Sequence, residues 1–373
     1  MLELEIMNQK FKKVVIIGLG LIGGSIGLAL KRRDFAREIV GIDKDSNILQ
    51  KALELGAIDK AVDDASVDLR GAELMILAVH LDAIERVLKK VAPFIPKGCI
   101  VTDVTSVKEK AIEIIENMLP KDVYFIGGHP MAGSERGGIE AADPFLFENA
   151  IYVLTPGKDN SGGIVDTMKT FIKTLGAKPL IFDPKRHDFL VALISHMPHI
   201  VAAALNLTVA ELDRSNEALA LAAGGFRDTT RIASSHPEMW SSICTGNSVE
   251  LSRVLTAIRD VLARFQQLIE HGEQDQLKNC LEEAKRIRDS LPDRPGLLPR
   301  VFEIIVTLPD RPGEIGRIGT LLGDNGINIS EIEILRVREG DGGTMRLAFS
   351  CEEDEVKAQK ILQEAGYKAR RRV

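Results

Sequence analysis

Short apolar runs alternate with amphipathic segments along the first half of the chain. Seven runs rich in β-branched residues predict strands, and they read KKVVIIG, EIVGID, ELMILAVH, GCIVTDV, VYFIGG, AIYVLTP and PLIFD. Helical spacing of apolar positions lies between several of them, at residues 26–33, 83–91, 108–118 and 163–175. Apolar strands separated by amphipathic helices are typical of a mostly parallel sheet covered on both faces. We therefore expect a doubly wound α/β domain over residues 1–183.

The strand pattern stops after Pro184 and returns only at Val301. The Ala- and Leu-rich sequence between them has helical periodicity, for example at 217–223 and 248–271, which predicts an all-α domain over 184–290 of the kind found in bundles and intertwined dimers. Residues 189–210 carry no Asp, Glu, Lys or Arg and are long enough to cross a bilayer. Because this stretch contains His, Pro, Asn and Thr, we expect a helix of a soluble domain, buried on most faces.

A proline-rich segment precedes the last part of the chain. Residues 291–299 read LPDRPGLLP, and three prolines and a glycine continue neither a helix nor a sheet, so we predict a linker over 291–300. Residues 301–373 then show the order strand, helix, two strands, helix and a short last strand. This order predicts a small ferredoxin-like α+β domain.

Composition excludes several classes of protein. The 373 residues are 45% hydrophobic and 27% charged, which fits two or three globular domains. Lys and Arg total 48 against 54 Asp and Glu, and this lack of basic excess disfavours a nucleic-acid partner. The four cysteines are scattered without a C-x-x-C pair, as in reduced cytoplasmic proteins. The N-terminal residues lack the apolar core of a signal peptide, so we expect a cytoplasmic protein with no membrane partner.

A glycine-rich loop follows the first predicted strand. In GLGLIG, Gly18 permits a tight turn, Gly20 lets the backbone approach a pyrophosphate, and Gly23 allows close helix–strand packing. The loop opens a helix whose N-terminus, beginning with Leu21 and Ile22, would face the phosphates. Asp43 ends the second strand twenty residues beyond Gly23, where a carboxylate binds ribose hydroxyls and repels a 2′-phosphate. The pattern predicts a Rossmann-type domain that binds NAD in preference to NADP.

Four further motifs carry side chains suited to chemistry. His129 lies in GGHPMAGSE directly after the strand VYFI, at the carboxyl end of the sheet where ligands of open α/β sheets bind. Taken singly, each motif also has a structural interpretation, as a turn histidine, as core histidines or as an ion pair within one helix. The other three motifs are SHMPH at 195–199, GGFRDTTR at 224–231 and PEMW at 237–240.

Together these motifs resemble the prephenate/arogenate dehydrogenase family with a C-terminal ACT domain. The resemblance runs from about Lys12 to the C-terminus. The GGHPMAGSE block and the SHMPH…GGFRDTTR…W series are its specific parts, whereas the glycine loop is common to many families. The stretch DVTSVK departs from the family at Thr105, where glycine is usual, and keeps Ser106 and Lys108.

The resemblance implies NAD-dependent oxidation of prephenate, with loss of CO2 and release of 4-hydroxyphenylpyruvate for tyrosine biosynthesis. A neutral imidazole suits the removal of a hydroxyl proton near pH 7, which is the role implied for His129. Ser106 would share that hydroxyl, and Arg231 would hold a substrate carboxylate with its planar fork. The remaining implied pocket residues are His196, His199, Glu135 and Trp240, of which Trp240 matches a position that the family can contribute from a partner subunit.

The resemblance also implies a homodimer and an amino-acid effector, for which L-tyrosine is the expected end product. ACT domains bind such ligands where the first β–α turn meets a neighbouring subunit. The matching residues here are Asp310, Gly313, Ile315, Asn328 and Ile329. We expect no metal, since no acid accompanies the three histidines in sequence and a decarboxylating oxidation needs no Lewis acid.

Three alternatives stay open. An arogenate or mixed cyclohexadienyl dehydrogenase would differ by one or two pocket contacts. Another Rossmann-type reductase of imines or β-hydroxyacids lacks the GGHPMAGSE block. A non-catalytic regulator that senses NAD and an amino acid would not need the set of His129, Ser106 and Arg231.

Overall fold

The computed structural model describes residues 11–63, 69–133, 137–157, 162–215, 217–291, 302–309, 311–335 and 343–371. Contacts divide the chain into two compact units, residues 1–267 and 268–373. The domain limits given from the sequence remain predictions.

An eight-stranded sheet forms the centre of the first unit. Its strands are β1 (Phe11–Ile17), β2 (Ala36–Asp43), β3 (Lys60–Asp63), β4 (Leu74–Leu77), β5 (Ile100–Asp103), β6 (Tyr124–Pro130), β7 (Ile151–Pro156) and β8 (Lys178–Ile181). The spatial order is β3-β2-β1-β4-β5-β6-β7-β8, and neighbours are parallel except for the antiparallel pair β6 and β7. All seven predicted runs form strands, whereas β3, a short segment with charged ends, was not predicted.

Helices cover both faces of this sheet, as the alternation of strands and helices predicted. They are α1 (Leu21–Arg32), α2 (Ser46–Glu54), α3 (Leu81–Val91), α4 (Glu109–Met118) and α5 (Gly162–Thr174). Ile26 of α1 and Phe171 of α5 belong to one buried apolar cluster, and Ile84 of α3 and Ile115 of α4 belong to the other. Because each parallel strand is buried on two faces, the chain needs near-continuous apolar strands, and β1 reads FKKVVII with its last four residues buried. The doubly wound architecture is confirmed.

The strand order reverses around β1, with β2 on one side and β4 on the other. The crevice outside the carboxyl ends of strands at such a switch point is where open α/β sheets bind ligands. The loop that follows β1 occupies this position, since Gly18 N–H donates to Ile42 O at the end of β2 and Ala78 N–H donates to Ile17 O from the end of β4.

A succession of helices follows the sheet. They are α6 (Pro184–Val191), a π-helical turn (Ala192–His196), α7 (Met197–Leu212), α8 (Glu217–Ala220), α9 (Gly224–Thr230), a 3₁₀ turn (Arg231–Ser234), α10 (Pro237–Gly246) and α11 (Ser248–Glu270). The π turn has a local cause in Pro198, near the start of α7. Proline has no N–H to donate, and its ring clashes with the carbonyl four residues earlier. The helical turn just before it therefore contains one additional residue. The widened turn carries His196.

The apolar stretch Pro184–Leu212 is long and apolar enough to cross a membrane by length and composition. Only 28% of its most apolar window is buried, and Ile194, Leu207 and Leu212 are 68%, 62% and 84% exposed. The expectation that this helix is buried on most faces is therefore wrong for the single chain. A helix that is apolar all round needs neighbours on every side, and this unit packs α9 and the 3₁₀ turn against α7.

The second unit contains α12 (Gln274–Asp289) and a four-stranded antiparallel sheet. The remaining elements are β9 (Phe302–Leu308), α13 (Glu314–Asp324), β10 (Glu331–Leu335), β11 (Gly343–Phe349), α14 (Glu352–Glu364) and β12 (Lys368–Arg371). The spatial order is β10-β11-β9-β12, and side chains from β9, β11, α13 and α14 share one core. This βαββαβ arrangement confirms the ferredoxin-like prediction.

Candidate active site

Three glycines of the loop after β1 differ in what surrounds them. Gly18 has a φ of +91°, and a Cβ there would lie 2.4 Å from Ala78 O. A Cβ on Gly23 would lie 2.0 Å from Gly18 O, so both positions exclude larger residues for packing reasons. A Cβ on Gly20 would meet nothing within 4 Å. Gly20 therefore faces open space at the start of α1, where a phosphate could approach.

The N-terminus of α1 has no side-chain cap and no acid in its first turn, which spans Leu21, Ile22 and Gly23. Its N–H groups and helix dipole are therefore suited to bind an anion. Asp43 at the end of β2 is tied to the same loop, because its carboxylate accepts from Leu19 N–H at 2.9 Å and from Asp45 N–H at 3.1 Å. These residues fit a dinucleotide, with the pyrophosphate at the helix end and the ribose at Asp43.

His129 lies near the end of β6 and is 8% exposed. The strands β1, β4, β5 and β6 are parallel, so His129 lies at the same edge of the sheet as the glycine loop. Burial is the first cause that holds the pKa of His129 well below 6.5, and the charges of His187, Lys108 and His196 act in the same direction. The imidazole is therefore neutral at pH 7 and able to accept a proton.

A buried ion pair contacts Gly128, the residue before His129. The Lys108 ammonium bonds to the Asp103 carboxylate and to Gly128 O, and both side chains are fully buried. Asp103 also accepts from Gly128 N–H at 3.1 Å and from Thr105 N–H at 3.0 Å, and the Thr105 hydroxyl bonds to the same carboxylate. Thr105, the departure from the family pattern, thus has a defined partner. Burial lowers the pKa of Lys108, whereas Asp103 opposes that shift.

The two glycines before His129 are required by this packing. A Cβ on Gly127 would lie 2.2 Å from the Thr155 hydroxyl oxygen, and a Cβ on Gly128 would lie 2.5 Å from Asp103 O. The GGH sequence therefore lets β6 lie close to the ion pair. The role of Lys108 was not foreseen from the sequence, because its position after a buried strand does not reveal full burial.

His187 is a second residue that sequence reasoning missed. Its Nε2 lies 2.8 Å from Nδ1 of His129, and its Nδ1 lies 2.8 Å from Oδ1 of Asp188. His187 and Asp188 are 2% and 1% exposed. The Asp188 carboxylate also accepts from Lys108 N–H and Glu109 N–H at the start of α4, at 2.7 and 2.9 Å. The only sequence signal was a histidine beside an acid at the start of a helix.

His196 and His199 reach the same region from the π turn and α7. Asn247 places its amide nitrogen 3.2 Å from His196 Nδ1, and burial lowers the pKa of His196 to about 4. Burial also lowers the pKa of His199, whose ring stacks on Trp240 with centroids 3.5 Å apart. In the described residues, His199 Nδ1 and Trp240 Nε1 are buried without a hydrogen-bond partner. Trp240 thus contacts a histidine of its own chain.

The remaining predicted substrate residues are Ser106, Arg231 and Glu135. Ser106 lies three residues beyond β5 and is partly exposed. Arg231 is exposed and begins the 3₁₀ turn that packs against α7, which carries His199. Glu135 lies outside the described residues. No group of three or more His, Cys, Asp and Glu suited to a metal occurs in the part of the chain that the structure describes.

The predicted effector residues fall in two places in the second unit, with Gly313 and Ile315 at the start of α13 and Asn328 and Ile329 between the end of α13 and β10, at the opposite edge of the sheet. Gly313 has a φ of +90° and precedes the helix, Ile315 is 44% exposed, Asn328 is exposed and Ile329 is partly buried. Asp310 lies outside the described residues. The first turn of α13 also holds the buried carboxylate of Glu314, which accepts from the Tyr367 hydroxyl at 2.9 Å.

The loop after β1 is suited to bind a phosphate, Asp43 ends the neighbouring strand, and the neutral His129 lies at the same edge of the sheet. This combination is that of a dinucleotide-dependent oxidoreductase. Three family models refine this class. The prephenate dehydrogenase nucleotide-binding domain matches residues 26–181, the prephenate dehydrogenase dimerization domain matches 183–283, and the ACT domain matches 302–366. The chain belongs to the prephenate dehydrogenase family, and it is an NAD-dependent enzyme.

Individual relatives agree with this assignment. The chain is 37% identical over 364 residues to a prephenate dehydrogenase of Bacillus subtilis, covering 96% of this chain and 97% of the relative. It is 30% identical over 283 residues to a cyclohexadienyl dehydrogenase of Zymomonas mobilis, covering 75% and 96%. Among solved structures, prephenate dehydrogenase from Aquifex aeolicus in complex with hydroxyphenyl propionate and NAD+ has a TM-score of 0.72 at 31% identity, covering 76% of this chain and 100% of that one.

Proposed function

We propose that the chain catalyses the NAD-dependent oxidative decarboxylation of prephenate to 4-hydroxyphenylpyruvate, CO2 and NADH in tyrosine biosynthesis. The observation that carries the proposal is His129, a buried neutral imidazole at the carboxyl edge of the sheet. This position would bring nucleotide binding and proton removal to one edge of one sheet. The match to a prephenate dehydrogenase over nearly the whole length of both chains supports the choice of substrate.

In this reaction His129 accepts the proton of the C4 hydroxyl as that carbon is oxidised. Bound NAD+ supplies the hydride acceptor. The ring carboxylate leaves as CO2, and its bonding electrons aromatise the ring. The imidazolium of His129 then returns its proton to the phenol oxygen, so the histidine ends the cycle neutral. A base whose pKa lies below the working pH favours this return.

The cofactor and the substrate would be held by different parts of the first unit. We assign the pyrophosphate to Gly18, Gly20, Leu21, Ile22 and Gly23 and the ribose to Asp43. Ser106 shares the reacting hydroxyl with His129, and Arg231 binds a substrate carboxylate. We assign His196, His199, Glu135 and Trp240 to the substrate pocket. The unpartnered buried nitrogens of His199 and Trp240 support this assignment, because a bound ligand would satisfy them.

The direct test follows NADH at 340 nm with prephenate and, separately, with arogenate. We expect turnover with prephenate at least tenfold above that with arogenate. Comparable rates would identify a cyclohexadienyl dehydrogenase, a second candidate favoured by the Zymomonas mobilis relative. Turnover with neither substrate, in protein that binds NAD, would favour a non-catalytic regulator instead.

We further propose that the chain works as a cytoplasmic homodimer. The match to a dimerization domain and the exposed apolar residues of Pro184–Leu212 support the pairing of two chains. The proposed domain limits are 1–183, 184–290 and 301–373, with a linker at 291–300.

The ACT domain is proposed to bind L-tyrosine and lower the activity of the enzyme. Gly313 allows the backbone of the first β–α turn to approach a ligand. Asn328 and Ile329 precede β10 at the opposite edge of the sheet, so a second chain would supply them to the same site. Asp310 would bind the ammonium group, and Ile315 would contact the side chain. An exposed Ile315 supports a ligand or a second subunit at this surface.

A further inference from the structure

His129, His187 and Asp188 form one continuous chain of hydrogen bonds. The ring of His187 joins the other two, with 2.8 Å on each side. His129 comes from β6, whereas His187 and Asp188 come from α6, so the chain of bonds joins the sheet to the first helix after it. All three side chains are buried, which protects these bonds from competition with water.

The partners of Asp188 fix the direction of its hydrogen bond with His187. Its carboxylate receives two backbone N–H groups from the start of α4, at 2.7 and 2.9 Å, and its Oδ1 also faces Nδ1 of His187. Two backbone donors hold the carboxylate in place and leave it an acceptor. The proton between Asp188 and His187 therefore lies on His187 Nδ1.

This assignment determines the tautomer of His129. A neutral His187 with its proton on Nδ1 has a lone pair on Nε2, which can only accept. The proton between the two rings therefore lies on His129 Nδ1. Nε2 of His129 then has the free lone pair, and it is the nitrogen on the side of the ring away from His187. The opposite tautomer of His187 would place a proton on His129 Nε2 and block that nitrogen as a base.

We propose that His187 is a positioning residue which, held by Asp188, selects the tautomer of His129 whose Nε2 accepts the substrate hydroxyl proton. This inference rests on the proposed function of His129 as the base. It adds the requirement that one tautomer of His129 be selected. The position of His129 alone does not meet this requirement, because an isolated neutral imidazole would populate both tautomers. The neighbouring charged or titratable groups, Lys108 and His196, do not hydrogen-bond to either nitrogen between the two rings in the described structure.

Two substitutions of His187 separate its contacts. His187→Asn places an amide near the former Nδ1, so it keeps the contact with Asp188 and loses the contact with His129. His187→Gln places an amide near the former Nε2, so its carbonyl oxygen can still accept from His129 Nδ1. We expect kcat to fall about 10²-fold in His187→Asn, with KM for prephenate and NAD within about threefold of wild type. We expect His187→Gln to recover at least tenfold of the lost kcat.

A spectroscopic measurement tests the tautomer without any assay of activity. Nitrogen-15 NMR of the histidine-labelled enzyme distinguishes protonated from unprotonated ring nitrogens, and the spectrum of His129→Asn identifies the His129 signals among the seven histidines. We expect the wild-type enzyme at pH 7.5 to carry the His129 proton on Nδ1, and His187→Asn to shift the population toward Nε2.

The kinetic and the NMR measurements can each contradict the inference, and their outcomes are distinguishable from failure of the proposed function. A wild-type spectrum with the His129 proton on Nε2 would overturn the inference, and so would equal losses of kcat in the Asn and Gln variants with the tautomer unchanged in both. If wild-type enzyme oxidises neither prephenate nor arogenate, the proposed function fails, while the NMR result still decides whether His187 sets the tautomer. Thermal unfolding of both variants shows whether a loss of kcat reflects loss of fold.

Discussion

A histidine that accepts a proton must be neutral and must have its lone pair on the correct nitrogen. Burial of His129 provides the first condition by lowering its pKa, and its bond to His187 bears on the second. Sequence motifs identified His129 but not His187, because the partner lies 58 residues away along the chain and only the fold brings the two rings together. The full burial of Lys108 was likewise not foreseen, since it depends on the path of β6.

At the level of single residues, His129→Asn keeps a polar group and removes the base. We expect kcat to fall by about 10²–10⁴, with KM for prephenate little changed. The neutral form of His129 is the active one, so wild-type activity should decline only well below pH 6.5, as the pH falls through the lowered pKa. Steady-state rates from pH 5 to 9 check both statements. Near wild-type turnover in the variant would remove His129 from the reaction.

His196 makes the stability of the fold depend on pH. Its pKa is about 4 in the folded state against 6.5 for an unperturbed histidine, so between these values the unfolded chain binds more protons. Its contribution to stability is complete above pH 6.5 and is lost as the pH falls toward 4, by roughly 3 kcal/mol at most. We expect His196→Asn to flatten the pH dependence of the urea midpoint in this window. Equal slopes for variant and wild type throughout would contradict the shift, and both proteins should agree in slope above pH 7.

At the level of elements, most strands followed from their apolar pattern, whereas β3 and the π turn did not. The segment β3 has four residues with charged ends and becomes a strand because β2 pairs with it. The π turn arises where Pro198 interrupts an otherwise regular helical pattern, and the pattern alone does not show whether the chain kinks or widens. Both depend on neighbours that a local pattern does not contain.

The loop between β1 and α1 provides a test at the same scale. Asp43 accepts two backbone N–H groups of its surroundings and would also repel a 2′-phosphate. We expect Asp43→Ala to raise KM for NAD at least tenfold and to lower the ratio of NAD to NADP efficiency. Asp45→Ala, which removes the helix cap of α2 without touching the loop, is the matched control. An unchanged cofactor ratio in Asp43→Ala would exclude this carboxylate from cofactor selection.

At the level of the whole molecule, the order of domains was predictable from changes in periodicity. The exposure of Ile194, Leu207 and Leu212 was not predictable. An apolar helix has the same sequence pattern whether its own chain or a second chain covers it. The composition of Pro184–Leu212 therefore indicates burial without identifying the partner.

Regulation also belongs to this scale. We expect L-tyrosine to inhibit the full chain and to lose this effect when the chain ends within residues 291–299, while dehydrogenase activity persists. Linkage requires that prephenate weaken tyrosine binding in the full chain by the factor with which tyrosine weakens prephenate binding. Calorimetric titration with tyrosine, with and without prephenate, measures that factor. Equal inhibition of the truncated enzyme would place the tyrosine site in the catalytic pocket.

The position of β6 along the chain has a consequence for synthesis. All eight strands of the first sheet lie between Phe11 and Ile181, so the ribosome has made every one of them before it reaches α6. Domains tend to fold as units from the N-terminus while translation continues. His129 can therefore take its place in the sheet before His187 and Asp188 have left the ribosomal tunnel. A nascent chain paused at this stage would hold the histidine without the two side chains that orient its protons.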